Sequence, residues 1–289
     1  MSLDVLTMQA KQMSDFYHSK TMDAYHTYYF RSHRDQPFVD IHCHCLAAFD
    51  DGPSTISEAV ELCKALVEDN IVTVIATPHQ LGRFEGLNEA QNVRAAVVKL
   101  NKILENKGVS IRVFPGGEVR VDERICQLLK ADKILTLADR GRYILLELPD
   151  QVFIDIEPMI QELVSMGIQP IISHVERMTS LKKRSNILSK WLEQCATLQI
   201  TASSLLGRFG LEAERSAWNL LVSGWARIVA TDSHGICFRR PEMKAAYELI
   251  TNKLGKGLAN QVCIENPLRV IKGEDITSGP ILKRQEACL

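Results

Sequence analysis

From residue 37 onward the chain alternates short, apolar, β-branched runs with longer stretches of helical period, about seven times, with no break in composition. PFVDIH (37–42), IVTVIAT (71–77), VSIRVFPG (109–116), RYILLELP (142–149), QPIISHV (169–175), TLQITAS (197–203) and ARIVATD (226–232) read as strands. Between them lie amphipathic helices: 55–70, with Ser54 or Thr55 as N-cap, then 88–108, a short one at 122–130, 156–167, 186–196, 213–224 and 241–255. Continuously apolar strands bounded by helices belong to parallel sheets buried on both faces. The fold class is therefore α/β. Seven or eight such units suggest a barrel, although a doubly wound open sheet satisfies the same pattern.

The 289 residues suffice for one large domain or two ordinary ones, and the unbroken alternation favours one. A composition of 46% hydrophobic and 24% charged residues is that of a soluble globular protein. The net charge of −1 excludes a general electrostatic grip on nucleic acid or anionic lipid. No apolar run reaches the ~18 residues of a membrane span, and the N-terminus lacks a signal-peptide core. Eight cysteines without a C-x-x-C pair indicate reduced thiols in a cytoplasm. Residues 1–36 are a polar, aromatic N-terminal extension, helical or partly disordered, holding four of the six tyrosines. Its natural roles are packing on the barrel of residues 37–289 or on a second subunit, and its Tyr25, Tyr28 and Tyr29 form a candidate phosphorylated segment.

The ligand-type residues collect where strands end, which is where barrel enzymes build their sites. His42 and His44 end the first strand, His79 the second, and Glu118 follows the third. Glu147 interrupts an apolar run in the fourth, His174, Glu176 and Arg177 follow the fifth, and Asp232 and His234 the last. Residues two apart on a strand share a face, so Asp40, His42 and His44 point one way and Cys43 and Cys45 the other. Histidines with carboxylates suit zinc, manganese or iron. A lone carboxylate at Glu147 in a dry barrel would cost several kcal/mol, and a metal removes that cost. The ligands outnumber what one ion can use, so two or three ions are expected; clustered divalent ions ~3.5–4 Å apart serve phosphoester hydrolysis. CIENPLR, from Cys263 to Arg269, matches the C-x5-R spacing of cysteine-dependent phosphatases. Without a glycine its backbone cannot curl around a phosphate, and it lies in a helical stretch.

DIHCHCL…FDDG, TPH, GGEVR, LLELP, SHVER, QITASSLLGRFG and TDSHG…RRP together resemble the polymerase-and-histidinol-phosphatase (PHP) superfamily. They are most similar to its capsule-type protein-tyrosine phosphatases, the CpsB/CapC family, over residues 37–272. The resemblance implies a distorted, TIM-like (β/α)7 barrel holding three divalent ions, manganese or iron foremost, with zinc or magnesium also compatible. It implies that His42, His44 and Asp232 bind one ion. Glu118 would bridge to a second completed by Glu147 and His174, and Asp51, His79 and His234 would bind a third. Arg177 and Arg240 become the phosphate-binding cations, with Arg239 the competitor for the second position. The implied substrate is a phosphotyrosine protein, a cognate bacterial tyrosine kinase regulating capsule or exopolysaccharide synthesis. The rival substrate is a small ester such as histidinol phosphate or a nucleotide. Histidine is usual elsewhere in the superfamily where Glu147 stands, which favours the tyrosine-phosphatase branch. Homo-oligomers are compatible with all of this.

Overall fold

The computed structural model describes residues 37–181 and 184–277; the N-terminal extension, with Tyr25, Tyr28 and Tyr29, lies outside them. Among the described residues nine strands pair in parallel throughout: β1 (Phe38–Cys43), β2 (Ile71–Ala76), β3 (His79–Gln80), β4 (Arg112–Pro115), β5 (Glu118–Arg120), β6 (Tyr143–Glu147), β7 (Gln169–Ile172), β8 (Thr197–Thr201) and β9 (Ala226–Ala230). Their order is β1-β2-β4 in one sheet and β3-β5-β6-β7-β8-β9 in the other.

The two sheets are halves of one ring. Pro78 has no N–H to donate, so the run that begins as β2 breaks at Thr77 and resumes as β3. The run of β4 breaks at Gly116 and Gly117 and resumes as β5. Gly117 must be glycine, because a Cβ there would lie 2.1 Å from Gln80 Oε1. Thr77 N–H donates to Cys43 O at 2.9 Å and Glu118 N–H to Pro78 O at 3.1 Å, which carries the pairing across both breaks. At the other side, Asp232 N–H donates to His42 O (2.8 Å) and His44 N–H to Ser233 O (2.9 Å). The last strand thereby meets the first, and the barrel, not the open sheet, is the architecture.

The helices cover this ring: α1 (Ile56–Glu68), α2 (Ala90–Asn106), α3 (Ile125–Lys130), α4 (Glu157–Ser165), α5 (Ser185–Glu193), α6 (Ala202–Leu205), α7 (Leu211–Val222) and α8 (Met243–Leu254). α1 shows how the sequence sets them. Thr55 Oγ1 accepts the Glu58 N–H (3.2 Å) and Glu58 accepts the Thr55 N–H (3.3 Å), a capping box that fixes the start. Ala59, Leu62, Cys63 and Leu66, at spacings of three and four, form its buried face. Cys43 and Cys45 are fully buried, and the Cys45 thiol contacts those of Cys43 and Cys63. The cysteines thus face the helical layer while the intervening histidines face the ring interior.

Candidate metal centre

Each barrel strand delivers its polar residues at its C-terminal end. Asp40, buried on the inner face of β1, accepts the Thr231 N–H at 3.0 Å and the Thr231 hydroxyl as well, which pins β1 to β9. Burial pushes its carboxyl up to about 6, against the pull of those bonds. Beyond this tie, His42, His44, Glu118 and Asp232 converge.

His42 Nε2, His44 Nε2 and Glu118 Oε2 form a triangle with sides of 3.3, 3.4 and 3.4 Å. Ligands about 2.0–2.1 Å from one tetrahedral ion lie about 3.4 Å from one another, so the triangle has the dimensions of a metal face. Asp232 Oδ1 adds a fourth donor, 3.3 Å from His42 and 3.6 Å from His44. Glu118 Oε2 and Asp232 Oδ1 are buried and make no hydrogen bond among the described residues, although unsatisfied buried carboxylate oxygens are costly. A bound cation satisfies both. Burial opposes the charge on Glu118, but His42 and His174 hold it well below the ordinary carboxylate range. Burial likewise opposes Asp232, and Arg177, His42 and Arg239 override it.

Two further groups adjoin the triangle. Asp51 Oδ1 lies 3.5 Å from His79 Nε2 and 3.3 Å from His234 Nε2, with His44 alongside. The other ring nitrogen of His79 is 3.1 Å from Glu118 Oε2 and 3.7 Å from Glu147 Oε2, so His79 stands between two groups. His174 Nε2 is 2.8 Å from Glu118 Oε1. Burial works against the imidazolium of His79, yet Asp51 and Glu118 together lift it to about 9. His234 is driven the other way, to about 4, by burial and by its neighbour His44. His174 and Asp232 are both left-handed (φ 32° and 53°), a cost that side chains pay where a site demands their direction.

Residues outside the expected ligands orient them. Asp50 Oδ2 accepts His44 Nδ1–H at 2.6 Å, leaving Nε2 free to face the triangle. Gln199 Oε1 does the same for His42 Nδ1–H (3.0 Å) and also accepts the His174 N–H (3.2 Å). Ser173 Oγ–H donates to Glu118 Oε1 at 2.7 Å. Glu176, buried, accepts the Thr201 N–H and the Ser204 hydroxyl, tying the turn that carries Arg177 to β8. Asp50 had a signal, as the first carboxylate of the DDG triplet; Gln199 had none beyond being polar within a buried strand. Gly52 completes that triplet because a Cβ there would meet His44 O at 2.4 Å.

The arginines separate. Arg177 and Arg239 both bond to Asp232 Oδ2, and Arg239 Nη1 lies 3.0 Å from His234 Nε2. The Nε–H groups of both are buried without a hydrogen bond among the described residues. Arg240 turns away to Glu242 at 3.4 Å, with 60% of its side chain exposed. The left-handed backbone of Arg239 (φ 51°) directs consecutive side chains apart. Cys263 is wholly buried within a π-helical turn (Gln261–Glu265), and burial pushes its thiol far up, which leaves no nucleophile there.

Known proteins resemble this chain in sequence and in fold. The family model for capsular polysaccharide synthesis, CpsB/CapC, matches residues 38–272. The tyrosine-protein phosphatase YwqE of Bacillus subtilis is 32% identical, over 84% of this chain and 94% of its own length. The tyrosine-protein phosphatase CpsB of Streptococcus agalactiae is 27% identical, over 82% of this chain and all of its own. A crystal structure from work on YwqE of B. subtilis and CpsB of Streptococcus pneumoniae, described as metal-dependent tyrosine phosphatases, superposes with a TM-score of 0.80. It is 31% identical and covers 84% of this chain and 97% of that one. With this agreement from residue 38 to residue 272, across every strand of the ring, the chain belongs to the CpsB/CapC family.

Proposed function

We propose that this chain is a metal-dependent protein-tyrosine phosphatase holding three divalent ions, manganese or iron, and acting on a bacterial tyrosine kinase that regulates capsule or exopolysaccharide synthesis. The observation that carries the metal reading is the triangle of His42, His44 and Glu118 with its orphaned carboxylate oxygen. The ligands are His42, His44, Asp51, His79, Glu118, Glu147, His174, Asp232 and His234, with His79 standing between groups. When bound, such ions supply Lewis acidity, lowering the pKa of water and neutralising charge that develops on phosphoryl oxygens.

The protein's own part is orientation and charge. Asp50 and Gln199 fix which nitrogen of each histidine faces inward. Arg177 and Arg239 supply the phosphate-binding donors; their unused Nε–H groups suit a tetrahedral oxyanion and are held in place by Asp232. The contacts of Arg239 with Asp232 and His234 favour it over Arg240, which bonds to Glu242, for this role. A tyrosine phenolate, with a conjugate acid near pKa ~10, departs more readily than an alkoxide. No helix among the described residues is long and apolar enough to cross a membrane, and the described cysteines carry no disulfide, which supports a cytoplasmic setting.

The test is hydrolysis of a phosphotyrosine peptide before chelation, after EDTA, and after manganese is restored. Loss and recovery are expected. Activity that survives thorough chelation would overturn the metal mechanism. Turnover of small phosphate esters but not of the peptide would move the substrate to histidinol phosphate or a nucleotide.

A further inference from the structure

We propose that the loop at residues 235–240 reads the apolar residues flanking the phosphotyrosine of a polypeptide substrate, through Ile236 and Phe238. This rests on the tyrosine-phosphatase reading above. The loop is short and closed: His234 N–H donates to Arg239 O at 2.9 Å. It follows His234, a candidate ligand, and contains Arg239, the phosphate-binding arginine, so its tip stands within a few residues of the reacting group. Consecutive Cα atoms are about 3.8 Å apart, which keeps Phe238 beside Arg239.

At that tip the apolar side chains face water. Phe238 is 79% exposed and Ile236 52%. Other strand-end loops at the same end of the barrel carry Leu87, also exposed, and Phe209, over whose ring the Arg177 guanidinium lies at 4.4 Å, while exposed Leu211 opens α7. Single exposed apolar residues need no explanation, but a series of them on the loops that surround a reaction centre marks a binding surface. A protein substrate must bring its phosphotyrosine down to the arginines, and the residues on either side of it then cross these loops. Among the described rim residues, Arg208 and Arg240 both bond to Glu242, which leaves their charge less available to acidic flanks than the exposed apolar side chains are to apolar ones.

The experiment compares kcat/KM of the manganese-loaded full chain on two phosphotyrosine peptides, one flanked by Leu and Phe and one by Ser and Gly. p-Nitrophenyl phosphate, an aryl ester without flanks, serves as the reference. The expected preference for the apolar peptide is about tenfold. Ile236→Ser with Phe238→Ser brings that ratio close to one, whereas Phe238→Leu retains most of it. No preference in the unaltered protein, or an undiminished preference in the double variant, overturns the inference. So does an equal fall on both peptides and the reference ester, which would make the loop a mere support for the metal centre. Hydrolysis of the reference ester with neither peptide turned over overturns the protein-phosphatase reading itself, and the inference with it.

Discussion

Asp50→Asn keeps the shape of a buried side chain and removes the charge behind one histidine of the metal triangle. In the structure Asp50 Oδ2 accepts from His44 Nδ1 (2.6 Å) and from the His79 N–H (3.0 Å), and Oδ1 from the Gly52 N–H (3.0 Å). All three donors need an oxygen, and an amide offers one. Whichever way the amide turns, at least one donor faces an NH2 group, at a cost of about 1–3 kcal/mol for each. His44 meanwhile loses the partner that fixes its tautomer and strengthens its Nε2 as a ligand. Loss of such a partner weakens metal binding about 10- to 100-fold, equivalent to about 1.4–2.7 kcal/mol.

The pH dependence of that deficit has a definite sign. Burial opposes the imidazolium of His44, but Asp50 overrides it and holds His44 well above its ordinary value, so protons compete with the metal in the unaltered protein. The Asn variant relieves part of that competition. Its deficit is therefore smallest in acid and grows as pH rises. Competition with a fluorescent chelator across pH 6–9, with manganese as the ion, measures it. An unchanged affinity, or a deficit that shrinks with rising pH, would refute the positioning role of Asp50.

Three other outcomes are expected. His79 stands at about 9 in the metal-free site, so loading near pH 7.5 must displace its proton. Calorimetry in buffers of different ionisation enthalpy should show the release. A histidine with a raised folded pKa stabilises most below its unfolded value, so the metal-free protein should lose up to roughly 3 kcal/mol as pH climbs from ~6.5 through ~9, read by thermal melting. Arg239→Ala should lower kcat/KM on phosphotyrosine peptide by 10²-fold or more, and Arg240→Ala by less than about threefold; equal losses would contradict the separation of the two. Cys263→Ser should leave turnover intact at a stability cost of about 1–2 kcal/mol, and loss of activity in a folded variant would return the chemistry to that thiol.

The alternation of apolar runs and helical periods carried the α/β architecture, because strands buried on both faces are mostly apolar and gather most of their polar residues at their ends. The same logic places His42, His44, His79, Glu118, His174, Asp232 and His234 around one centre from the sequence alone. What stayed hidden depends on backbone direction. Arg239 and Arg240 are adjacent and chemically equal in the sequence, and only the left-handed turn at Arg239 decides which reaches Asp232. Gln199 is invisible for another reason: its role is to accept from the His42 ring and the His174 backbone N–H, 157 and 25 residues away along the chain. The split of two barrel strands at Pro78 and at Gly116 and Gly117 was legible only as a proline and a glycine pair, which mark many kinds of loop.

The tie between Asp40 and Thr231 spans 191 residues and joins β1 to the end of β9, the first and last strands of the described ring. Closing a loop of that length costs roughly 5 kcal/mol of chain entropy, and it must be met before His42 and His44 can find Asp232. A growing or truncated chain that lacks β9 therefore has no complete centre to offer a metal. Ions held only by the finished ring would act as a clasp across its seam, and their capture would report that β9 has joined β1.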